Sequence, residues 1–372
     1  AWGSQAELQY ALALMPTLPP PMLRELEALV AALGANPDIV QGAGGNASLK
    51  HEGALWVKAS GTWMVDALRE PTFVAVERSA IGRMLERDGA AFDPRQLALL
   101  HGREGTRPSI ETPLHAVMPQ TVVLHVHSVR ALAFAVRRDA TSQLAARLQG
   151  MRWAFVPYRR PGAPLTDAIS RALASTVPAP DVLVLGNHGL VVAGDDVPSV
   201  RARLDEVEAR LDDELRPTPP PREDELRRFL SGAASATWRL PRSPVVHALG
   251  TDAAANRAFS TGVLYPDHVV FLGDAWPEAQ PAEPIEVANQ RHQRQHGRDT
   301  SYWVVAGAGV VVRADIADAP EQMLECAARV GQRLGMDTPL QPLDDDDLAA
   351  LTHWEAEAYR AQRGRPASER GT

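Results

Sequence analysis

The chain has 372 residues, of which 45% are apolar, 23% charged and 5% aromatic, an ordinary composition for a soluble protein of about two domains. Its 38 basic and 46 acidic residues leave a formal charge of −8, which excludes a broad nucleic-acid surface but leaves room for a local anion pocket. A single cysteine, Cys326, excludes a disulfide framework and a cysteine zinc cluster. No apolar run approaches the roughly 18 residues that cross a bilayer, and no basic-then-apolar leader opens the chain. The expectation is a cytoplasmic protein that binds neither membrane nor nucleic acid.

Apolar residues spaced by three and four predict a helix over Pro20–Leu33. A glycine-rich turn, Gly42-Ala43-Gly44-Gly45-Asn46, follows. ASLKHEG and ALWVKAS then read as a hairpin turning at Glu52-Gly53. Glu111–Met118 reads as a short helix and Thr121–His127, TVVLHVH, as a strand. Asp181–Leu185, DVLVL, is a second apolar strand; Gly186-Asn187-His188-Gly189 and the strand LVVAG follow it. A charged helix is expected over Pro198–Leu215. Arg216–Arg222, with three consecutive prolines, is the linker candidate. The division expected is 1–215, a 216–222 linker, and 223–372.

The second part reads as a degenerate copy of the first. VVLHVHS after Pro119 matches VVFLGDA after Pro266, and LVLGNHGLVVAGDDV matches YWVVAGAGVVVRADI. On this alignment His125, His127 and His188 fall on Leu272, Asp274 and Ala308. The chemistry is then expected in the first part.

His125 and His127 are two apart on a strand, so both imidazoles leave one face, as a metal pair or as two histidines on an exposed face. His188, between Asn187 and Gly189 just past a strand end, is either a third ligand or part of a tight turn. Three nitrogens with an open position would be a catalytic rather than a structural metal site. Glu111 reads as a general base or as a favourable charge near a helix start, and His115, one turn on, as structural support. Gly44-Gly45-Asn46, Lys58-Ala59-Ser60-Gly61-Thr62 and Ser109 are small polar stretches that can cradle a phosphate or merely turn the chain. There is no P-loop or GxGxxG after a strand to support nucleotide binding.

QGAGGNASLK, LWVKASGTWM, RPSIETPLHAVMP, VVLHVHSVRALAFA and VLVLGNHGLVVAG occur in an order that resembles the class II aldolase/adducin family. Within it, the chain resembles the long rhamnulose-1-phosphate-aldolase-like members, as their aldolase part without the fused dehydrogenase. The resemblance implies a three-layer α/β/α fold with a central, largely antiparallel sheet, plus a C-terminal α/β extension. It implies a divalent metal on His125, His127 and His188, zinc first, with cobalt or manganese as alternatives. It implies Glu111 as the base and Asn46, Ser60, Gly61 and Ser109 around the substrate phosphate, to which the polar stretches themselves add Gly45 and Lys58 as candidates. It also implies a homo-oligomer, commonly a tetramer with sites at subunit interfaces.

The activity implied is metal-dependent aldol cleavage or formation on a sugar phosphate or related hydroxy-ketone, through an enediolate. Decarboxylation, dehydration and epimerisation share that chemistry, and an adducin-like scaffold is the non-enzyme alternative. Tyr158 is the candidate acid for the departing oxygen, with packing as its other reading. Ile110 stands where relatives carry a second serine, a departure that weakens the phosphate site or signals another anion.

Overall fold

The computed structural model describes residues 18–231 and 237–352; residues 1–17 and 353–372 of the two expected parts lie outside the described residues. Pro21–Gly34 forms α1, with proline in its first turn and Leu23, Leu26, Leu29, Val30 and Leu33 buried along one face. β1 (Asn46–His51) folds back on β2 (Ala54–Lys58) through Glu52 and Gly53, both at positive φ. β3 (Phe73–Glu77), α2 (Arg78–Asp88) and β4 (Leu99–His101) complete that edge. Then come α3 (Thr112–Val117), β5 (Val122–Val126), α4 (Val129–Ala135), α5 (Ala140–Arg147), β6 (Trp153–Val156) and α6 (Ala163–Ser175). β7 (Val182–Leu185), β8 (Gly189–Gly194) and α7 (Val197–Arg210) close the first part.

These strands form one sheet in the order β4-β3-β2-β1-β5-β8-β7-β6, antiparallel except for the β6–β7 pair. Leu124, Val126, Val184 and Val192 face α1, α5 and α7, while Val123, Leu183, Leu185 and Val191 face α3 and α6. Burial on both faces explains why β5 and β7 are continuous apolar runs rather than alternating ones. The result is the expected α/β/α layering.

The second part runs α8 (Glu223–Phe229), β9 (Trp238–Arg239), α9 (Ala248–Thr251), α10 (Ala253–Ser260), α11 (Pro266–Leu272) and β10 (Glu278–Ala279). α12 (Ile285–His296), β11 (Tyr302–Val305), β12 (Gly309–Arg313), α13 (Asp318–Gly331) and α14 (Asp345–Thr352) follow. Its sheet has the order β10-β11-β12-β9, with β10–β11 parallel and the other pairs antiparallel. That is the order and sense of β6-β7-β8-β5.

The stretch aligned by sequence with β5 does not occupy the β5 position. Residues 266–272 are helix, because Pro266 fits a first helical turn and an apolar run alone does not distinguish a strand from a buried helix. The strand beside β12 is β9. Val192 pairs with Leu124, and Val312 pairs with Arg239. Superposing the two hairpins on Gly189 and Gly309 therefore sets Leu240 against His125 and Arg242 against His127, in place of Leu272 and Asp274. Ala308 remains the counterpart of His188.

Arg216–Arg222 is not a free spacer. Arg216 N–H donates to Gln332 O (3.3 Å), its guanidinium pairs with Asp252 (2.7 Å), and Arg222 N–H donates to Ala308 O (2.9 Å). The two parts also share apolar core: Val129, Leu132, Ala133 and Val136 around α4 pack with Met323, Leu324, Ala327 and Ala328 of α13. Among the described residues no helix is long and apolar enough to cross a membrane.

Candidate metal centre

The centre lies where β5, β1 and the β7–β8 hairpin meet. Asn46 opens β1 directly opposite His125, and Val191 of β8 lies on the other side of the same residue. His127 follows β5 by one residue, and His188 ends the hairpin loop. Gly189 makes the approach possible: a Cβ there would stand 2.5 Å from Val126 O and 3.3 Å from the rings of both His125 and His127.

The three imidazoles converge. His125 Nε2 and His127 Nε2 are 3.2 Å apart, and one nitrogen of each of the three rings lies within 4.8 Å of the others. All three side chains are buried. His125 Nδ1 donates to Leu190 O (3.1 Å), and His127 Nδ1 stands 2.8 Å from Asp267 Oδ2. Each back-side bond places the ring proton on Nδ1 and turns the Nε2 lone pair toward the shared point. Three neutral nitrogen donors at such separations fit a divalent cation.

Glu111 completes the cluster from the residue before α3. Its Oε2 is 3.5 Å from His125 Nε2 and its Oε1 3.4 Å from His188 Nε2. Burial pushes the carboxyl up, but in the metal-free protein protonated His125 and His188 rings, the Asn46 amide and the His127 ring outweigh it and pull it below the ordinary carboxylate range. Glu111 is therefore an anion at neutral pH. Asn46 Nδ2 donates to Glu111 Oε2 (2.6 Å) and to Ser109 Oγ (3.3 Å). Asn46 Oδ1 in turn accepts from His115 Nε2, whose Nδ1 meets Ser48 Oγ at 2.8 Å. Burial drives the His115 pKa down to about 3, so His115 is a neutral link in this chain and not a member of the metal cluster.

The other anticipated residues fall into different places. Ser109 Oγ accepts from Glu111 N–H (3.2 Å), beside Asn46. Ser60 is tied to the same segment by its N–H to Arg107 O (2.8 Å), next to the Ala59–Pro108 bridge, and Gly61 follows at φ +73. Gly45 precedes β1 at φ +63. The buried Lys58 ammonium donates to Thr62 O (2.6 Å) and Ala43 O (3.5 Å), joining the two glycine-containing loops. A buried cation takes the nearest carbonyls, which composition cannot reveal. Tyr158 packs with the apolar cluster of Val263, Val269, Leu343 and Leu351. Asp267 was not anticipated, and no local sequence signal marks it.

A largely antiparallel sheet between helix layers, with three imidazoles and a carboxylate at its strand ends, defines an α/β protein with a candidate divalent-metal centre. The chain belongs to the class II aldolase/adducin family: the model of the Class II Aldolase and Adducin N-terminal domain matches residues 24–213. It is similar to the uncharacterized oxidoreductase YuxG of Bacillus subtilis (strain 168), with 29% identity over 175 residues, 44% of this chain and 25% of that protein. The chain thus spans about a quarter of the length of the curated relative it matches. Among solved structures it resembles the N-terminal class II aldolase domain of a conserved protein from Thermoplasma acidophilum (23% identity, 53% of this chain, 94% of that one, TM-score 0.43). It also resembles a sugar-phosphate aldolase from Thermotoga maritima (16% identity, 51% and 91%, TM-score 0.40).

Proposed function

We propose that the chain is a divalent-metal-dependent lyase that breaks or forms a carbon–carbon bond beside the carbonyl of a small hydroxy-ketone, with a sugar phosphate as the substrate class. The observation that carries the reading is the Glu111 carboxylate standing 3.4–3.5 Å from two of three converging imidazoles. His125, His127 and His188 would hold the ion, and three imidazoles with an open position suit zinc. When bound, the ion supplies Lewis acidity toward a carbonyl and its neighbouring hydroxyl. Glu111 removes or returns the proton on the carbon next to that carbonyl. Asn46 and His115 hold its carboxylate at that position. Ser60, Gly61, Ser109 and Gly45 are assigned to the substrate anion, where they supply binding energy remote from the reacting carbon. Ile110, between Ser109 and Glu111, lines a cavity of about 240 Å³ with Arg95 and Arg160. A homo-oligomer of up to four chains is the expected assembly.

The test is metal content by mass spectrometry on protein purified without chelators, beside His125→Ala. About one divalent ion per chain, lost in the variant, is expected. A screen of ketose phosphates for aldehyde release then separates carbon–carbon cleavage from decarboxylation, dehydration and epimerisation. Protein that holds no ion and takes up none from added zinc overturns the proposal.

A further inference from the structure

We infer that the C-terminal part is a working component of the metal centre, with Asp267 as the positioning residue for His127. The inference rests on the metal-site reading above. His127 Nδ1 and Asp267 Oδ2 stand 2.8 Å apart, and each side chain is only 4% exposed. A carboxylate on the outer nitrogen fixes the ring proton there, locks the ring's orientation and makes the inner nitrogen a stronger donor. The carboxylate therefore acts through His127 and need not touch substrate.

The source of Asp267 is what makes it informative. It lies on α11, outside the region that the family model matches. In the first part, the chain passes from α5 to β6 without a further helix; in the second, α11 stands between α10 and β10. The helix that carries the carboxylate is therefore an addition to the shared topology. Tyr265, just before it, is buried and points its hydroxyl at Cys326 Sγ (3.8 Å) on α13, anchoring the start of α11.

Three further hydrogen bonds tie the same centre to the C-terminal part. Asn187, beside His188 and at φ 52, donates its side-chain amide to Leu264 O (2.9 Å) and Gln341 O (2.6 Å). Gly42 N–H in the glycine-rich turn donates to Gln322 Oε1 on α13 (2.7 Å). The segments bearing His127, His188 and Asn46 are thus each fastened to the C-terminal part. Gly44 leaves the space the His127–Asp267 contact needs: a Cβ there would lie 2.8 Å from Gln41 O, 2.9 Å from His127 Nδ1 and 3.3 Å from Asp267 Oδ2.

The test is a competition titration of zinc against a chromogenic chelator on the full chain, with the cobalt visible spectrum as a second readout. Asp267→Asn is expected to weaken zinc binding roughly 10–100-fold and to change the cobalt bands, with Asp267→Glu recovering part of the loss. Equal zinc affinity in wild type and Asp267→Asn overturns this inference while leaving the metal-site reading intact. Wild-type protein that takes up neither ion overturns both. If circular dichroism finds Asp267→Asn unfolded, Gly44→Ala, which places a methyl against both partners, gives the same reading. A comparable loss is then expected, and unchanged affinity overturns the inference.

Discussion

The β7–β8 and β11–β12 hairpins are one loop built twice. Three residues separate the paired Leu185 and Gly189 in the first, and three separate Val305 and Gly309 in the second. The last loop residue donates its N–H back across the loop in both, His188 to Leu185 O (3.1 Å) and Ala308 to Val305 O (2.9 Å). The middle residue has positive φ in both, 52° at Asn187 and 70° at Gly307. The side chains differ at all three positions, Gly186, Asn187 and His188 against Ala306, Gly307 and Ala308. The backbone therefore closes without an imidazole, so the turn itself does not require His188. At the strand that flanks each hairpin the change is equally complete: Arg242, the counterpart of His127, turns its guanidinium to Asp318 and Glu321.

The largest effect is expected when the first hairpin is made to resemble the second. His188→Ala is expected to fold, because Ala308 already occupies that loop position. It should bind zinc more than 100-fold more weakly, since losing a ligand exceeds the 10–100-fold cost of losing a ligand's supporting partner. Thermal shift with and without zinc checks it: wild type gains stability from the ion and the variant does not. Next in size is Glu111→Gln, which keeps the shape and removes the base. Turnover should fall roughly 10²–10⁴-fold while metal content, read by mass spectrometry, is kept.

Much of this arrangement was legible in the sequence, and the reasons are local. The two-residue strand period placed His125 and His127 on one face, and the continuous apolar runs marked the central strands. What joins His188 to them is the β5–β8 pairing, a long-range register that no spacing encodes. Asp267 was invisible for the same reason. The second copy was misaligned because VVFL satisfies a buried helix as well as a strand, while Trp238–Arg239, the actual strand, is too short to show a period. The carbonyl contacts of Lys58 were equally invisible, because they join two loops that only the fold brings together.

A matched pair of substitutions separates loop stability from chemistry. In Gly189→Ala the methyl meets Val126 O at 2.5 Å; in Gly309→Ala it meets His247 Nδ1 at 2.6 Å. Each should cost on the order of 2 kcal/mol by urea unfolding of metal-free protein, because backbone or a packed ring must shift. Only Gly189→Ala should also weaken zinc binding. Equal zinc affinity in the two variants would mean that the first hairpin does not set the metal geometry.

The smallest expected effect belongs to the second part alone. Burial holds the His268 pKa down to about 4, and its Nδ1 accepts from Leu264 N–H at 3.4 Å. The unfolded chain takes up a proton on this ring near its ordinary value of about 6.5, while the folded chain stays neutral until about 4. The unfolded state therefore binds more protons between those limits, so stability falls as pH drops through the window and levels off below it. From pH 7 to pH 5.5 this one ring should remove roughly 1 kcal/mol. His268→Gln should flatten that part of the decline, measured as the difference between urea midpoints at the two pH values. His115, buried in the first part with a pKa near 3, continues to contribute its own decline in that variant. A variant whose pH slope matches wild type would mean that His268 is already protonated in the folded protein.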